Sequence, residues 1–440
     1  MISNMNRLIG PELLILLLTV MALPLASAED IVSKSPFRSI FLGNDLTHWH
    51  GEATMAPRVL AAMPDAERAA KMDEWQKNAV AHWTAKEGEL INDGQGVFLT
   101  SDQEYGDFEL LIQYKTIPSA DSGIYLKSNP QVQIWNYEAD KLSPGQDKGS
   151  GGLWNNSPGA PGKDPTEIAD RPFGEWNEFR IQQVGARTSV WLNGKHIVHH
   201  ATMENYWDRE KPLVPRGPIQ LQTHGGEIRW REIKIREIDT EEANAILRSH
   251  HNEGFKSLFN GHDLSGWTGN VESYDVVDGA IRCKPGTGGV LHTMDQYADF
   301  VARVEFKLPP AGNNGLAIRY PGSGDPAYTA MCELEVLDTE HPDDADLDPR
   351  QVHGSAYGMI PAYRGYLRPT GEWNFQEVTV KGSRLKVELN GSIILDGDLA
   401  DVKEFMADRA HPGKDRKTGF FGFAGHGDAV EFRNVKIKRL

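Results

Sequence analysis

The sequence predicts an all-β chain built as two tandem antiparallel β-sandwiches. Three observations carry that expectation: the chain repeats itself once, each repeat holds runs that alternate apolar and polar residues, and tight-turn signals separate those runs. Phe37-Arg-Ser-Ile-Phe-Leu-Gly-Asn-Asp-Leu-Thr-His-Trp49 returns as Phe255-Lys-Ser-Leu-Phe-Asn-Gly-His-Asp-Leu-Ser-Gly-Trp267. Residues 106–115 match 298–307, Ser122-Gly-Ile-Tyr-Leu-Lys127 matches Asn314-Gly-Leu-Ala-Ile-Arg319, and Gly174-Glu-Trp-Asn177 matches Gly371-Glu-Trp-Asn374. His224-Gly225 and the strand after it match His426-Gly427 and the run to Leu440. The order never changes, and offsets of 192 to 218 residues are far too long for a solenoid.

Taken from the N-terminus, residues 1–28 read as a secretory signal peptide. Arg7 precedes an apolar run over 13–25, and Ala26-Ser27-Ala28 precedes Glu29-Asp30. The run is shorter than the ~20 residues a spanning helix needs. Cleavage after Ala28 would leave a periplasmic or secreted chain with no stable membrane insertion. The first sandwich is expected over 36–238, where Phe108, Leu110, Ile112 and Tyr114 show the period of two of a half-buried strand. Asn193-Gly194 between strand-like runs suits a two-residue hairpin. A segment at about 57–82, rich in Ala, Met, Lys and Glu, reads as a short helical insertion, because the second copy spans the same gap in a few residues. Residues 239–253 are polar and read as a helical linker. The second sandwich, 254–440, repeats the alternation at Phe300, Ala302, Val304 and Phe306, and the turn at Asn390-Gly391.

Composition narrows the partners. Lys and Arg number 46 against 62 Asp and Glu, a net charge of −16. Such a field repels nucleic-acid phosphate and anionic lipid but not a neutral sugar. The two cysteines, Cys283 and Cys332, exclude a disulfide framework, and whether they pair or remain buried thiols is open. No phosphate-binding loop, dinucleotide fingerprint or His-Glu-x-x-His occurs. Asp343, Asp344, Asp346 and Asp348 lack the Gly and terminal Glu of an EF-hand and read as a solvated loop.

The ordered set of repeated motifs resembles the 3-keto-disaccharide hydrolase family, whose domains are also described as 3-keto-glucoside 1,2-lyase and 3-keto-2-hydroxy-glucal hydratase. The resemblance covers nearly the whole chain beyond the leader, twice. It implies two tandem concanavalin A-like jelly-roll β-sandwiches, and it supplies a substrate class, 3-keto-glycosides, that composition and spacing do not.

The sharpest chemical feature follows the Gly-Leu strand of the second copy: Glu333, Glu335 and Asp338. On a strand, 333 and 335 share a face, and a one-residue bulge would bring 338 to join them. Clustered carboxylates raise proton affinity, as acid–base work on a glycoside requires. The first copy carries Gln131, Gln133 and Asn136 at the matching places, each the amide of its counterpart, which can hydrogen-bond but not titrate. Catalysis is therefore expected in the second copy, with the first holding a sugar-like ligand or acting as scaffold. Lys127 and Arg319 match each other. Arg319 is the candidate for steadying an enolate and Lys127 for holding a ligand oxygen. His353 is a candidate acid. Trp135 and Trp154 form a candidate sugar platform in the first copy, and His224 and His426 suit ligand binding or a shared fold role.

In the scheme that the resemblance implies, a carboxylate removes the proton at C2, acidified by the C3 ketone, and expels the group at C1. Water then adds, giving net hydrolysis. Glu333 or Asp338 is the base and the other, or His353, the acid; Arg319 or a bound divalent metal ion stabilises the enolate. The rivals are a jelly-roll glucanase-like glycosidase, whose carboxylate spacing on a bulged strand is similar, and a non-catalytic carbohydrate-binding protein. The partner in each is a carbohydrate; the oligomeric state is left open.

Overall fold

In a computed structural model of the chain, the structure describes residues 35–118, 120–135, 137 and 145–440. The leader reading over 1–28 and the candidate Asn136 lie outside the described residues. Four antiparallel sheets form two β-sandwiches of the same jelly-roll plan, each with one eight-stranded and one five-stranded sheet. The alternation explains the first copy's core. Phe108, Leu110, Ile112 and Tyr114 of strand Phe108–Thr116 are buried between the sheets, where the Tyr114 ring stacks on Phe179 at 5.2 Å and lies tilted against Trp230. In the second copy, Phe423 and Phe432 lie face to face at 3.9 Å across the same space.

One expectation of alternation fails. Strand Phe300–Lys307 buries both faces almost throughout. On its outer face Glu305 receives Arg248 from helix Thr240–Ser249 and Arg433 and Asn434 from strand Glu431–Arg439, and Arg303 pairs with Glu377 at 2.7 Å. The alternation therefore holds at the inner face only; the outer residues are polar yet buried because they are paired. That helix starts where Asp239 accepts the backbone N–H of Glu242 at 2.8 Å, a cap of about 1 kcal/mol.

Residues 57–82 fold as helices Pro57–Ala61 and Asp65–His82, the longer with Asp65 and Glu67 in its first turn. It seats on strand Trp49–Glu52 through Gly51, where a Cβ would lie 2.3 Å from the Trp75 carbonyl oxygen. The Asn193-Gly194 and Asn390-Gly391 turns both take left-handed dihedrals, as a tight hairpin of right-twisted strands requires. The second of them also joins the two sandwiches: Gly391 O accepts from Ala186 N at 3.1 Å, and Arg187 grips Glu388 with two hydrogen bonds. Cys283 and Cys332 are separate buried thiols. Among the described residues no helix is long and apolar enough to cross a membrane.

Candidate active site

Strand Cys332–Leu337 is the edge of the second copy's five-stranded sheet and pairs with Asn313–Tyr320 in unbroken register from Ile318↔Cys332 to Asn313↔Leu337. Leu334 and Val336 point into the core, so Glu333 and Glu335 face the other way. Room for Glu333 comes from Gly315, where any Cβ would lie 2.0 Å from Glu333 Oε1. The exposed edge of this strand is covered by the loop after residue 352. Gly354 N donates to Glu335 O at 2.8 Å, Glu335 N to Ser355 O at 3.1 Å, and Tyr357 N to Glu333 O at 3.0 Å.

Both carboxyls line a cleft of about 300 Å³. Glu333 is 3% and Glu335 6% exposed. His426 reaches Glu333 Oε1 with Nε2 at 3.3 Å. Burial raises the proton affinity of Glu333, and His426 partly offsets it. Burial and the adjacent Glu333 charge hold Glu335 well above the usual carboxylate range. The hydrogen bond to Glu333 raises the His426 imidazole in turn. The cleft thus presents Glu335, a carboxyl whose proton affinity is raised, beside a Glu333–His426 hydrogen-bonded pair, a division of labour suited to acid–base chemistry.

The connection between the two strands is longer in the second copy than in the first and supplies another wall. Asp325 caps the short helix Pro326–Thr329 by accepting from Ala327 N, and Tyr328 faces the cleft with the Arg409 guanidinium 3.5 Å over its ring. Tyr357 also lines the cleft. Burial, Tyr328 and the nearby Glu335 push its phenol up to about 12. None of Asp325, Tyr328, Tyr357 and Arg409 was singled out by sequence. The structure makes Tyr357 the counterpart of Trp154, because its hydrogen-bonded segment is equivalent to Gly151-Gly152-Leu153-Trp154.

Three expected members of the site stand elsewhere. Asp338 does not join the two glutamates, because the ladder has no bulge; its carboxylate accepts Ala311 N at 3.0 Å instead. His353 is a core residue, with Nε2 2.9 Å from Gln376 Oε1 and its ring on Phe306, and burial lowers it to about 4. Arg319 is spent on the fold: it donates to the carbonyls of Ala298, Gly382 and Arg416 and to Asp299, all at 2.8 Å. Lys127 does the matching task, donating to Gly185 O at 2.9 Å. Gly185 and Gly382 are the equivalent hairpin turns, and their N–H groups are taken by Asp107 and Asp299. Each copy thus clamps one turn between an aspartate and a buried cation, which is why the cation recurs.

In the first copy, Gln131 and Gln133 are buried against each other, and Gln133 also donates to Asp121 Oδ1 at 2.7 Å. His224, at 63% side-chain exposure, turns Nδ1 to Asp121 Oδ2 at 3.1 Å. Trp135 and Trp154 meet edge to face at 5.0 Å. A further cleft of about 310 Å³, lined by Trp207, Tyr363 and Lys127 among others, carries no acid pair. Among the described residues no three His, Cys, Asp or Glu are placed to share a metal ion.

A family model described as the 3-keto-alpha-glucoside-1,2-lyase-like domain matches residues 36–236 and again 254–438. A 3-keto-disaccharide hydrolase of Bacteroides thetaiotaomicron is 28% identical over 229 residues, which span 43% of this chain and 79% of that protein. Crystal structures of two candidate glycosyl hydrolases from Parabacteroides distasonis are 27% and 25% identical. They cover 46% and 42% of this chain and 98% and 99% of their own, with TM-scores of 0.38 and 0.39.

Proposed function

The chain belongs to the 3-keto-alpha-glucoside-1,2-lyase-like family in both of its halves, and from that premise we propose that it cleaves 3-keto-glycosides, in the periplasm or outside the cell, at the cleft of its second half. Glu333 is the base. Its carboxylate takes the proton at C2, which the C3 ketone acidifies, and the His426 hydrogen bond keeps the carboxylate oriented. The C2 electron pair then forms C1=C2 as the C1–O bond breaks. Glu335, whose proton affinity burial raises, gives its proton to the leaving oxygen. Water adds to C1 of the resulting enone, C2 regains a proton, and the sum is hydrolysis.

The observation that carries this reading is the pairing of a buried Glu335, its proton affinity raised, with an imidazole-linked Glu333 on one face of one strand. The relative named as a 3-keto-disaccharide hydrolase supports the substrate class. The test is proton NMR of the full chain in D2O with a 3-oxidised disaccharide and, separately, its unoxidised parent. Release of sugar from the oxidised substrate alone, with deuterium entering at C2, is the expected outcome. Cleavage of the parent would make it an ordinary glycosidase, and binding without cleavage of either would make it a carbohydrate-binding module.

A further inference from the structure

The two copies differ at a third position as sharply as at the glutamates. Backbone hydrogen bonds fix the equivalence: Gly151 N donates to Gln133 O and Gln133 N to Gly152 O, just as Gly354 N donates to Glu335 O and Glu335 N to Ser355 O. Two residues further on, the first copy has Trp154 and the second Tyr357. Gln131, Gln133 and Trp154 hold no group that acts on a proton; Glu333, Glu335 and Tyr357 all do.

Resting on the lyase reading above, we propose that the Tyr357 hydroxyl is a catalytic residue: it donates the hydrogen bond that stabilises the oxyanion forming at C3. The elimination needs such a donor. When Glu333 removes the C2 proton, the C–H pair becomes the C2=C3 bond and the carbonyl pair moves onto O3. That negative charge, transferred from Glu333 to O3, develops in a cleft also lined by Asp325, where an anion is disfavoured unless a donor meets it. On collapse the C3=O bond re-forms, C1=C2 forms, and the C1–O bond breaks with Glu335's proton on the leaving oxygen. The phenol gives a hydrogen bond throughout and keeps its proton.

The position suits the task. Tyr357 N binds Glu333 O, so the phenol is carried by the backbone that flanks the base. Tyr328, perpendicular to it with ring centroids 6.1 Å apart, braces the ring. Arg319, the cation that the sequence matches to this role, is consumed by a hairpin turn, as is its counterpart Lys127.

The experiment measures exchange of the C2 hydrogen of a 3-oxidised disaccharide in D2O, with turnover followed in parallel, for the full-length wild type, Tyr357→Phe and Tyr357→His. Exchange and kcat are expected to fall about 100-fold or more in Tyr357→Phe with little change in KM. Tyr357→His, which retains a donor, is expected to recover at least tenfold of that loss. Wild-type rates in Tyr357→Phe, or equal losses in both variants with unchanged near-ultraviolet circular dichroism, overturn the assignment alone. Absence of C2 exchange in the wild type overturns the lyase reading and the assignment with it.

Discussion

His426 Nε2 lies 3.3 Å from Glu333 Oε1, whereas its counterpart His224 turns to Asp121. Between the copies, the acid has moved one strand over: in the first, Asp121 accepts from Gln133 and faces His224, whereas in the second its counterpart is Asn313 and the acid meeting the histidine is Glu333, on the paired strand. One histidine serves both arrangements, which explains its recurrence. In the second copy it is coupled to the buried base. Because its folded value lies above its ordinary 6.5, the contact stabilises the fold fully below that value and fades as pH rises through the folded one.

Glu333→Gln should therefore lower the His426 pKa toward the ordinary imidazole value, since the Glu333 hydrogen bond is the largest cause of the shift. NMR titration of the imidazole C–H resonances in wild type and variant reads this directly. An unchanged His426 would mean that the pair does not form.

Glu335→Gln should stabilise the protein at neutral pH. A carboxyl whose folded pKa is raised costs stability above its unfolded value near 4.5, increasingly until the pH reaches the folded value. The carboxamide, which the first copy already carries at Gln133, removes that cost. Thermal melts should show a gain of ~1–3 kcal/mol at pH 7 that shrinks toward pH 4.5. Equal stability at both pH values would place Glu335 in a wetter setting than the cleft gives it.

Arg319→Ala should damage the fold and not the chemistry. Its guanidinium is 1% exposed and holds three carbonyls and Asp299, so its loss leaves buried acceptors and a carboxylate unpaired, at a cost of about 3–5 kcal/mol. Chemical denaturation should show that loss, while kcat per folded molecule stays within a few-fold of wild type. A large fall in kcat with normal stability would return Arg319 to the reaction.

His200 of the first sandwich stacks on His250, which ends the Thr240–Ser249 helix, at 3.6 Å and 10°. Burial, then His250 and Arg187, depress His200 to about 2. A neutral buried imidazole costs stability as pH falls below its unfolded value near 6.5. His200→Gln should flatten the fall in unfolding free energy between pH 6 and pH 4 by up to ~1.4 kcal/mol per pH unit. Parallel pH dependence in variant and wild type would show that the stack is open to water.

The sequence made the two-sandwich plan legible because the repeat, the alternation in Phe108–Tyr114 and the Asn-Gly turns are local signals with one structural reading each. Glu333 and Glu335 were legible for the same reason: residues two apart on a strand share a face. Asp338 was not, because a bulge cannot be told from a regular ladder by spacing. Arg319 and Lys127 misled, since the carbonyls they hold, Gly382 and Gly185, lie 63 and 58 positions away in the chain. His353 drew attention as a titratable residue, while four positions on, Tyr357 was the one that faced the cleft. Only the register between the loop and the Glu333 strand separates those two.

The most direct test is the initial rate on a 3-oxidised disaccharide of the Glu333→Gln, Glu335→Gln double variant, which writes the first copy's carboxamides into the second. The account predicts a loss of 10³-fold or more with sugar binding kept, because the substitution removes proton transfer and leaves shape. A rate within tenfold of wild type would contradict it and move the chemistry to another surface of the molecule.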